Sequence, residues 1–395
     1  MGRFLIVVPP LAGHTNPTVA VGAELRRRGH HVAWCGYPEP LGALLPSDTT
    51  ILPVAPGVPD WLHQAAEDTR GERGVQALRF LWEGFIVPLA HDMVPGVEAA
   101  VDAFSPDVVV ADQQALAGAV VAKRRKLPWA TSATTSAELI DPLGTMPKLT
   151  AWIEDMMRQV QLDHGVAPSD ADQGDLRFSD YLLLAFTSPA LVGRDRSFPP
   201  HWTFVGPATA GRPETAPFPW EWLAQGRRHV LVSMGTVNTE ASGSFFDRVL
   251  AALDGTGVRA VLVAPPDLVP DPLPDVLVRP SVPQLPLLER MDAVVCHGGH
   301  NTACEALARG VPLVVAPIRD DQPVVAAQVV AAGAGIRVKF GRVGPAELRA
   351  AILAVLDDPA YRDAARQVAE SFARAGGAPM AATRLEALLP VREPV

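Results

Sequence analysis

The chain has 395 residues, 48% of them hydrophobic, 39 prolines and a formal net charge of −9. That length suffices for two α/β domains with separate cores, and the hydrophobic content excludes a disordered chain. The acidic balance, without a long basic run, argues against nucleic acid as a partner, and no run of apolar residues is long enough to span a membrane. The prolines suit many strand–loop–helix joins better than long helical bundles. Three cysteines, Cys35, Cys296 and Cys304, show no C-x-x-C spacing and read as reduced thiols of a cytoplasmic protein. The apolar stretch from Phe4 to Val8 is too short for a signal core and runs straight into Pro9 and Pro10.

In chain order, Arg3 to Val8 reads as a first strand and Pro9 to Pro17 as a loop. Thr18 to Arg28 reads as an amphipathic helix closed by Gly29, and His31 to Cys35 as a second strand. Such a βαβ opening implies a right-handed parallel unit. The loop carries His14 within Gly13-His14-Thr15-Asn16-Pro17, at the carboxyl end of strand one, where ligand sites gather in open α/β sheets. Taken alone, a loop histidine is more often merely exposed. Residues Phe80 to Ala103 are helix-like, with Trp61, Phe80, Trp82 and Phe85 nearby, and aromatics so placed are more often core than binding wall. Val108 to Ala111 is a buried strand ending at Asp112, which suits either a helix N-cap or a carboxylate that orients an imidazole. Another strand end follows at Trp129 to Ser132. Met146, Trp152, Met156 and Met157 then lie on a helical stretch that suits either the core or an adaptable wall. Strand character resumes at Tyr181 to Leu184 and at Thr203 to Val205, before a Pro- and Gly-rich segment through Pro219 that reads as a linker.

The second half opens with the strand His229 to Val232 and the small-residue turn Ser233-Met234-Gly235-Thr236. Further strands are expected at Ala260 to Val263 and Val276 to Val278. Asp292 to Cys296 is a short apolar run of the buried parallel type, followed by His297-Gly298-Gly299-His300-Asn301-Thr302 and a helix from Ala303 to Arg309. A strand, a Gly-containing turn and a helix N-terminus suit a phosphate, because amide N–H groups and the positive end of the helix dipole face outward. His297 is placed to donate to a diphosphate oxygen. Asn301 and Thr302 suit helix caps or phosphate contacts, and Glu305 has the reach to accept from ribose hydroxyls. The same letters alone fit a helix cap after a core strand equally well. Ser281-Val282-Pro283-Gln284 lies upstream, and Asp320-Asp321-Gln322 follows the next strand, Pro312 to Ala316, and Pro317. Helices are expected over Gly344 to Leu356, Tyr361 to Ala375 and Met380 to Leu389.

These residues resemble the donor signature of the GT-B nucleotide-sugar glycosyltransferases, in the family of plant secondary-metabolite and bacterial macrolide and antibiotic enzymes. The matches are Pro283, Gln284, His297, Gly299, Asn301, Thr302, Glu305, Pro317, Asp321 and Gln322. The chain departs at Ser281, where the family usually carries a tryptophan that stacks on the nucleobase. The resemblance implies an α/β architecture of two Rossmann-like domains facing across a cleft: 1–207 for the acceptor, 208–219 as linker, 220–376 for the donor, and 377–395 as a helix returning to the first domain. It implies donor binding by Ser233, Thr236, Ser281, Val282, Gln284, His297, Gly299, His300, Asn301, Thr302, Glu305, Asp321 and Gln322. It implies acceptor lining by Trp82 and Phe85, with His14 as catalytic base and Asp112 as its partner in a dyad; Ser132, at a strand end facing the same cleft, and Met146 join the acceptor candidates.

The implied reaction is inverting transfer of a sugar from a UDP- or TDP-sugar to a hydroxyl of an apolar natural product. No D-x-D pair accompanies the donor turn, so neither a metal nor a cofactor is expected and the nucleotide sugar is a co-substrate. The expected state is monomer or homodimer. Two rivals share the architecture or the turn. A non-hydrolysing sugar-nucleotide epimerase needs additional acid/base carboxylates, and a non-catalytic nucleotide-sugar binding protein has no use for His14. A nicotinamide dehydrogenase is disfavoured, because no G-x-G-x-x-G follows strand one.

Overall fold

The structure, a computed structural model, describes residues 1–62, 64, 74–213, 216–223, 226–235 and 243–390. Its contacts divide the chain into two compact units. The first holds Met1–Phe186, Ser197–Pro213 and the C-terminal segment from Ala375; the second holds Thr187–Arg196 and the stretch that ends at Arg374.

In the first unit seven strands form one parallel sheet. They are β1 (Arg3–Val7), β2 (His31–Gly36), β3 (Thr50–Pro53), β4 (Val108–Asp112), β5 (Trp129–Ala133), β6 (Leu182–Ala185) and β7 (Trp202–Phe204), in the order β3-β2-β1-β4-β5-β6-β7. The central strands are apolar throughout because helices cover both faces. Phe4 to Val8 are all fully buried. Side chains alternate between faces. Leu5, Val7, Val109 and Ala111 join one core with the helix Val87–Phe104, while Phe4, Ile6, Val108 and Val110 join another with the helix after β1.

That helix, α1 (Ala12–Arg27), begins six residues before the expected Thr18, so the expected loop ends at Leu11. The amides of His14 and Thr15 both donate to the Leu11 carbonyl, at 3.0 and 3.1 Å, and close the first turn ahead of Pro17. Pro17 is therefore inside the helix, where its fixed φ is already helical and only one backbone donor is lost. The Trp34 indole N–H donates to Thr18 Oγ1 (2.9 Å), and that hydroxyl donates to the Thr15 carbonyl (2.7 Å). This chain of bonds ties the start of α1 to β2. The C-terminal helix Gly377–Glu386 packs on α1, where Arg28 donates to Glu386 Oε2 at 2.7 Å. His30 accepts the Gly2 amide at Nδ1 (3.0 Å) and so donates from Nε2 to Glu386 Oε1 (2.8 Å).

The second unit carries a six-stranded parallel sheet. Its strands are β8 (His229–Ser233), β9 (Arg259–Val263), β10 (Val276–Arg279), β11 (Ala293–Cys296), β12 (Leu313–Val315) and β13 (Gly335–Arg337), in the order β10-β9-β8-β11-β12-β13. The winding repeats that of the first six strands. Cys35 and Cys296 are buried, and burial pushes both thiols up to about 12, which keeps them unreactive. No helix among the described residues is long and apolar enough to cross a membrane.

Candidate active site

In each sheet the strand order reverses at one place, between β1 and β4 and between β8 and β11. Crevices at such switch points are where open α/β sheets bind ligands. Of the residues singled out from the sequence, His14, Asp112 and Ser132 lie at the first, and Ser233, His297 and Gly299 at the second.

At the first switch point His14 sits in the opening turn of α1, just past β1, and Asp112 is the last residue of β4. The His14 Nδ1–H donates to Asp112 Oδ1 at 2.8 Å across 98 residues of sequence. The Asp112 side chain is fully buried and that of His14 is 15% exposed. Asp112 is not a helix N-cap, because the next helix, Leu116–Arg125, starts four residues later behind Ala115. Its Oδ1 also accepts the Gln114 amide at 2.9 Å.

A third side chain, missed in the sequence, completes this cluster. The Thr134 hydroxyl donates to Asp112 Oδ2 at 2.9 Å, and its oxygen lies 2.8 Å from His14 Nδ1. Along this strand the sequence marks only Ser132 as a candidate. In the structure Ser132 pairs with Asp112 across β4 and β5, and its buried Oγ has no partner. The signal for Thr134 was the period of two along a strand, carried one step past the strand's end.

Of the other acceptor candidates, Trp82 is only 2% exposed and belongs to the core, with the Arg177 guanidinium over its ring at 5.6 Å. Phe85 is half-buried against the same core. Met146 is exposed, at the N-cap of the helix Pro147–Asp163.

At the second switch point β11 leads into His297. The helix α2 (His300–Leu307) then starts three residues before the expected Ala303, with Gly299 at its N-cap and no side-chain cap bond. Asn301 and Thr302 therefore lie inside the first turn and do not cap it. Both are half-buried. The Ala303 amide closes that turn onto the Gly299 carbonyl at 3.0 Å.

The His297 ring occupies a slot between two glycines. A Cβ on Gly299 would lie 2.5 Å from its Nε2, and one on Gly235, which has φ +77°, would lie 2.7 Å from the same atom. No larger residue fits at either place while the ring stays put. His297 Nδ1 is buried without a partner, a costly state that a bound acceptor or donor group would relieve. Burial pushes the imidazole below its ordinary value, against the opposing pull of Asp321 and the Ser233 backbone.

Two neighbours already have protein partners. Glu305, 3% exposed, accepts from Gln284 Nε2 at 2.6 Å. Gln322 Oε1 accepts the amides of Ile318 (2.9 Å) and Arg319 (3.2 Å) and so shapes the loop before its own helix, where Asp321 is the N-cap. His300 is buried, 3.5 Å from the Cys304 thiol. Ser233 is buried at the end of β8, Val282 is half-buried, and Ser281 is exposed. Thr236 lies outside the described residues. Among the described residues no group of three His, Cys, Asp or Glu side chains is arranged to hold a metal ion.

Buried His297 has a pH consequence that it shares with His229, whose imidazole burial also pushes down. The unfolded chain then takes up protons first as pH falls past about 6.5, the ordinary histidine value. Stability contributed by the neutral folded rings is lost from there down to their folded-state values. Melting temperature is expected to fall between pH 7 and pH 5.5, and less steeply in a His229→Asn variant; a flat or rising curve would contradict this.

Comparison with known proteins shows what the chain is similar to. Residues 258–388 match the family model described as "Erythromycin biosynthesis protein CIII-like, C-terminal domain". Over 94% of its length the chain is 29% identical to 4'-demethylrebeccamycin synthase of Lentzea aerocolonigenes, covering 96% of that protein. The crystal structure of the glycotransferase of kitacinnamycin superposes with a TM-score of 0.79 at 26% identity, over 98% of this chain and 99% of the other. Spinosyn rhamnosyltransferase complexed with thymidine diphosphate gives a TM-score of 0.73 at 25% identity, over 96% and 99%. By sequence over nearly its whole length and by fold, the chain is similar to the antibiotic-type glycosyltransferases of the GT-B fold.

Proposed function

We propose that this glycosyltransferase moves a sugar from a UDP- or TDP-sugar to a hydroxyl of an apolar natural product, with inversion and without a metal ion. The observation that carries the reading is the 2.8 Å hydrogen bond from His14 to buried Asp112 at a switch point. An alcohol is a poor nucleophile at neutral pH and needs a base within hydrogen-bond reach. With Nδ1–H held by the carboxylate, Nε2 is the basic nitrogen that takes the acceptor's proton. Asp112 stabilises the imidazolium that forms. The attacking oxygen forms its bond to the anomeric carbon as the bond to the nucleoside diphosphate breaks, and one such displacement inverts that carbon.

Charge grows on the departing diphosphate. In this reading it meets the N-terminus of α2 and the neutral His297 ring, which donates a hydrogen bond. Asp321 accepts from sugar hydroxyls. Gln322 contributes only its N–H₂ end, its oxygen being engaged with the loop. Glu305 faces the ribose with its orientation set by Gln284. The thymidine diphosphate bound by the spinosyn enzyme supports a nucleotide of this class. Neither a binding protein nor an epimerase acting on the sugar nucleotide alone has use for an acceptor base.

The test is mass spectrometry of reactions containing a panel of uridine- and thymidine-diphosphate sugars with mixed apolar phenols and alcohols. At least one pairing is expected to gain a sugar mass and release nucleoside diphosphate. Epimerised donor with no conjugate, or bound donor with no product from any pairing, would overturn the reading.

A further inference from the structure

We propose that Thr134 is a positioning residue for the base: it holds Asp112 in the one orientation that keeps the proton of His14 on Nδ1. This rests on the transferase reading for its kinetic consequence and on geometry alone for the rest. Asp112 is fully buried, so both of its oxygens need donors. Oδ1 has two, the Gln114 amide at 2.9 Å and the His14 ring at 2.8 Å. Oδ2 has the Thr134 hydroxyl at 2.9 Å.

The sheet explains why residue 134 reaches that oxygen. Ser132 lies directly across from Asp112, and side chains alternate along a strand, so two residues later Thr134 leans over the same face. Its neighbour in β5 behaves as buried threonines commonly do: Thr131 Oγ1 donates to the Arg177 carbonyl at 3.1 Å and accepts the Ser179 amide at 2.8 Å. Both hydrogen bonds of the Thr134 side chain instead go to His14 and Asp112. Because its proton is given to Oδ2, its oxygen can only accept on the side facing Nδ1, sharing that nitrogen's one proton with Asp112 Oδ1 in a three-centre bond, which favours the N–H form there. A hydroxyl that faced Nδ1 as donor would favour the opposite tautomer and leave Nε2 protonated and useless as a base.

The test compares Thr134→Val, which keeps the shape and removes the hydroxyl, with Thr134→Ser, which keeps the hydroxyl. The valine variant is expected to lose about tenfold to a hundredfold in kcat, with donor and acceptor KM little changed, and serine to restore most of it. Proton NMR supplies a readout independent of turnover. The low-field Nδ1–H signal, assigned by its loss in His14→Ala, should persist in wild type and Thr134→Ser and exchange away in Thr134→Val. Full kcat in the valine variant, serine as impaired as valine, or an undisturbed Nδ1–H signal without the hydroxyl would each overturn the proposal. If the valine variant does not fold, the serine variant decides, since its Nδ1–H signal must match wild type. A wild-type protein that transfers no sugar would sink the transferase reading, while the NMR comparison still judges Thr134.

Discussion

Replacing His14 by Ala is expected to lower sugar transfer to alcohols by about a hundredfold to ten-thousandfold, the range supplied by a positioned general base. The fold should survive, because the His14 ring is partly exposed and makes its hydrogen bonds at the edge of the core. Substrates whose nucleophile is already ionised at the assay pH should lose much less, since they need no base. Asp112→Asn gives a second view of the same machinery. An amide that turns its N–H₂ toward the ring would favour the tautomer protonated at Nε2, so turnover should fall while the shape of the site stays. The check is steady-state kinetics with an aliphatic alcohol and with an acidic phenol across a pH range. Equal losses on both acceptors, or an Asp112→Asn enzyme as fast as wild type, would contradict the role given to the pair.

Gly299→Val is expected to weaken donor binding by about tenfold to a hundredfold, the worth of one hydrogen bond to a charged group. The reason is steric. The added Cβ alone would stand 2.5 Å from His297 Nε2 and 2.9 Å from its Cε1, with Gly235 closing the other side of the slot. The ring has nowhere to retreat and must leave its place at the end of β11. Gly299 has φ −59°, so the substitution introduces no backbone strain of the left-handed kind, and the effect reads on His297. Donor KM should rise more than acceptor KM, and circular dichroism should be unchanged. A donor KM within twofold of wild type would mean that the imbedded imidazole has no part in holding the diphosphate.

Much of this was legible in the letters, for physical reasons that can be named. The runs Phe4 to Val8, Val108 to Ala111 and Val294 to Cys296 are apolar throughout, as strands buried on both faces must be, and each falls in a central strand. At the two helices that carry the candidate site the sequence places the start late, at Thr18 for Ala12 and at Ala303 for His300. In both cases polar and helix-breaking residues, Pro17 in one and two glycines in the other, hide a first turn that backbone bonds to Leu11 and Gly299 secure. Thr134 escaped for a different reason. Its contacts bridge residues 120 and 22 positions away, and nothing in the local string Thr134-Thr135-Ser136 marks one hydroxyl out from its neighbours. Gln284 and Glu305 were each read as facing the nucleotide, yet they also bond to one another across 21 residues. Pairing of that kind is invisible until the chain is folded.

In the proposed mechanism labour is divided, with the diphosphate held at His297 and the acceptor's proton taken at His14. Calorimetric titration of thymidine diphosphate into the His297→Ala and His14→Ala variants tests it most directly. His297→Ala should bind about tenfold more weakly than wild type or worse, while His14→Ala should bind as wild type does. Loss of nucleotide affinity in His14→Ala, with His297→Ala unaffected, would contradict the assignment of both sites.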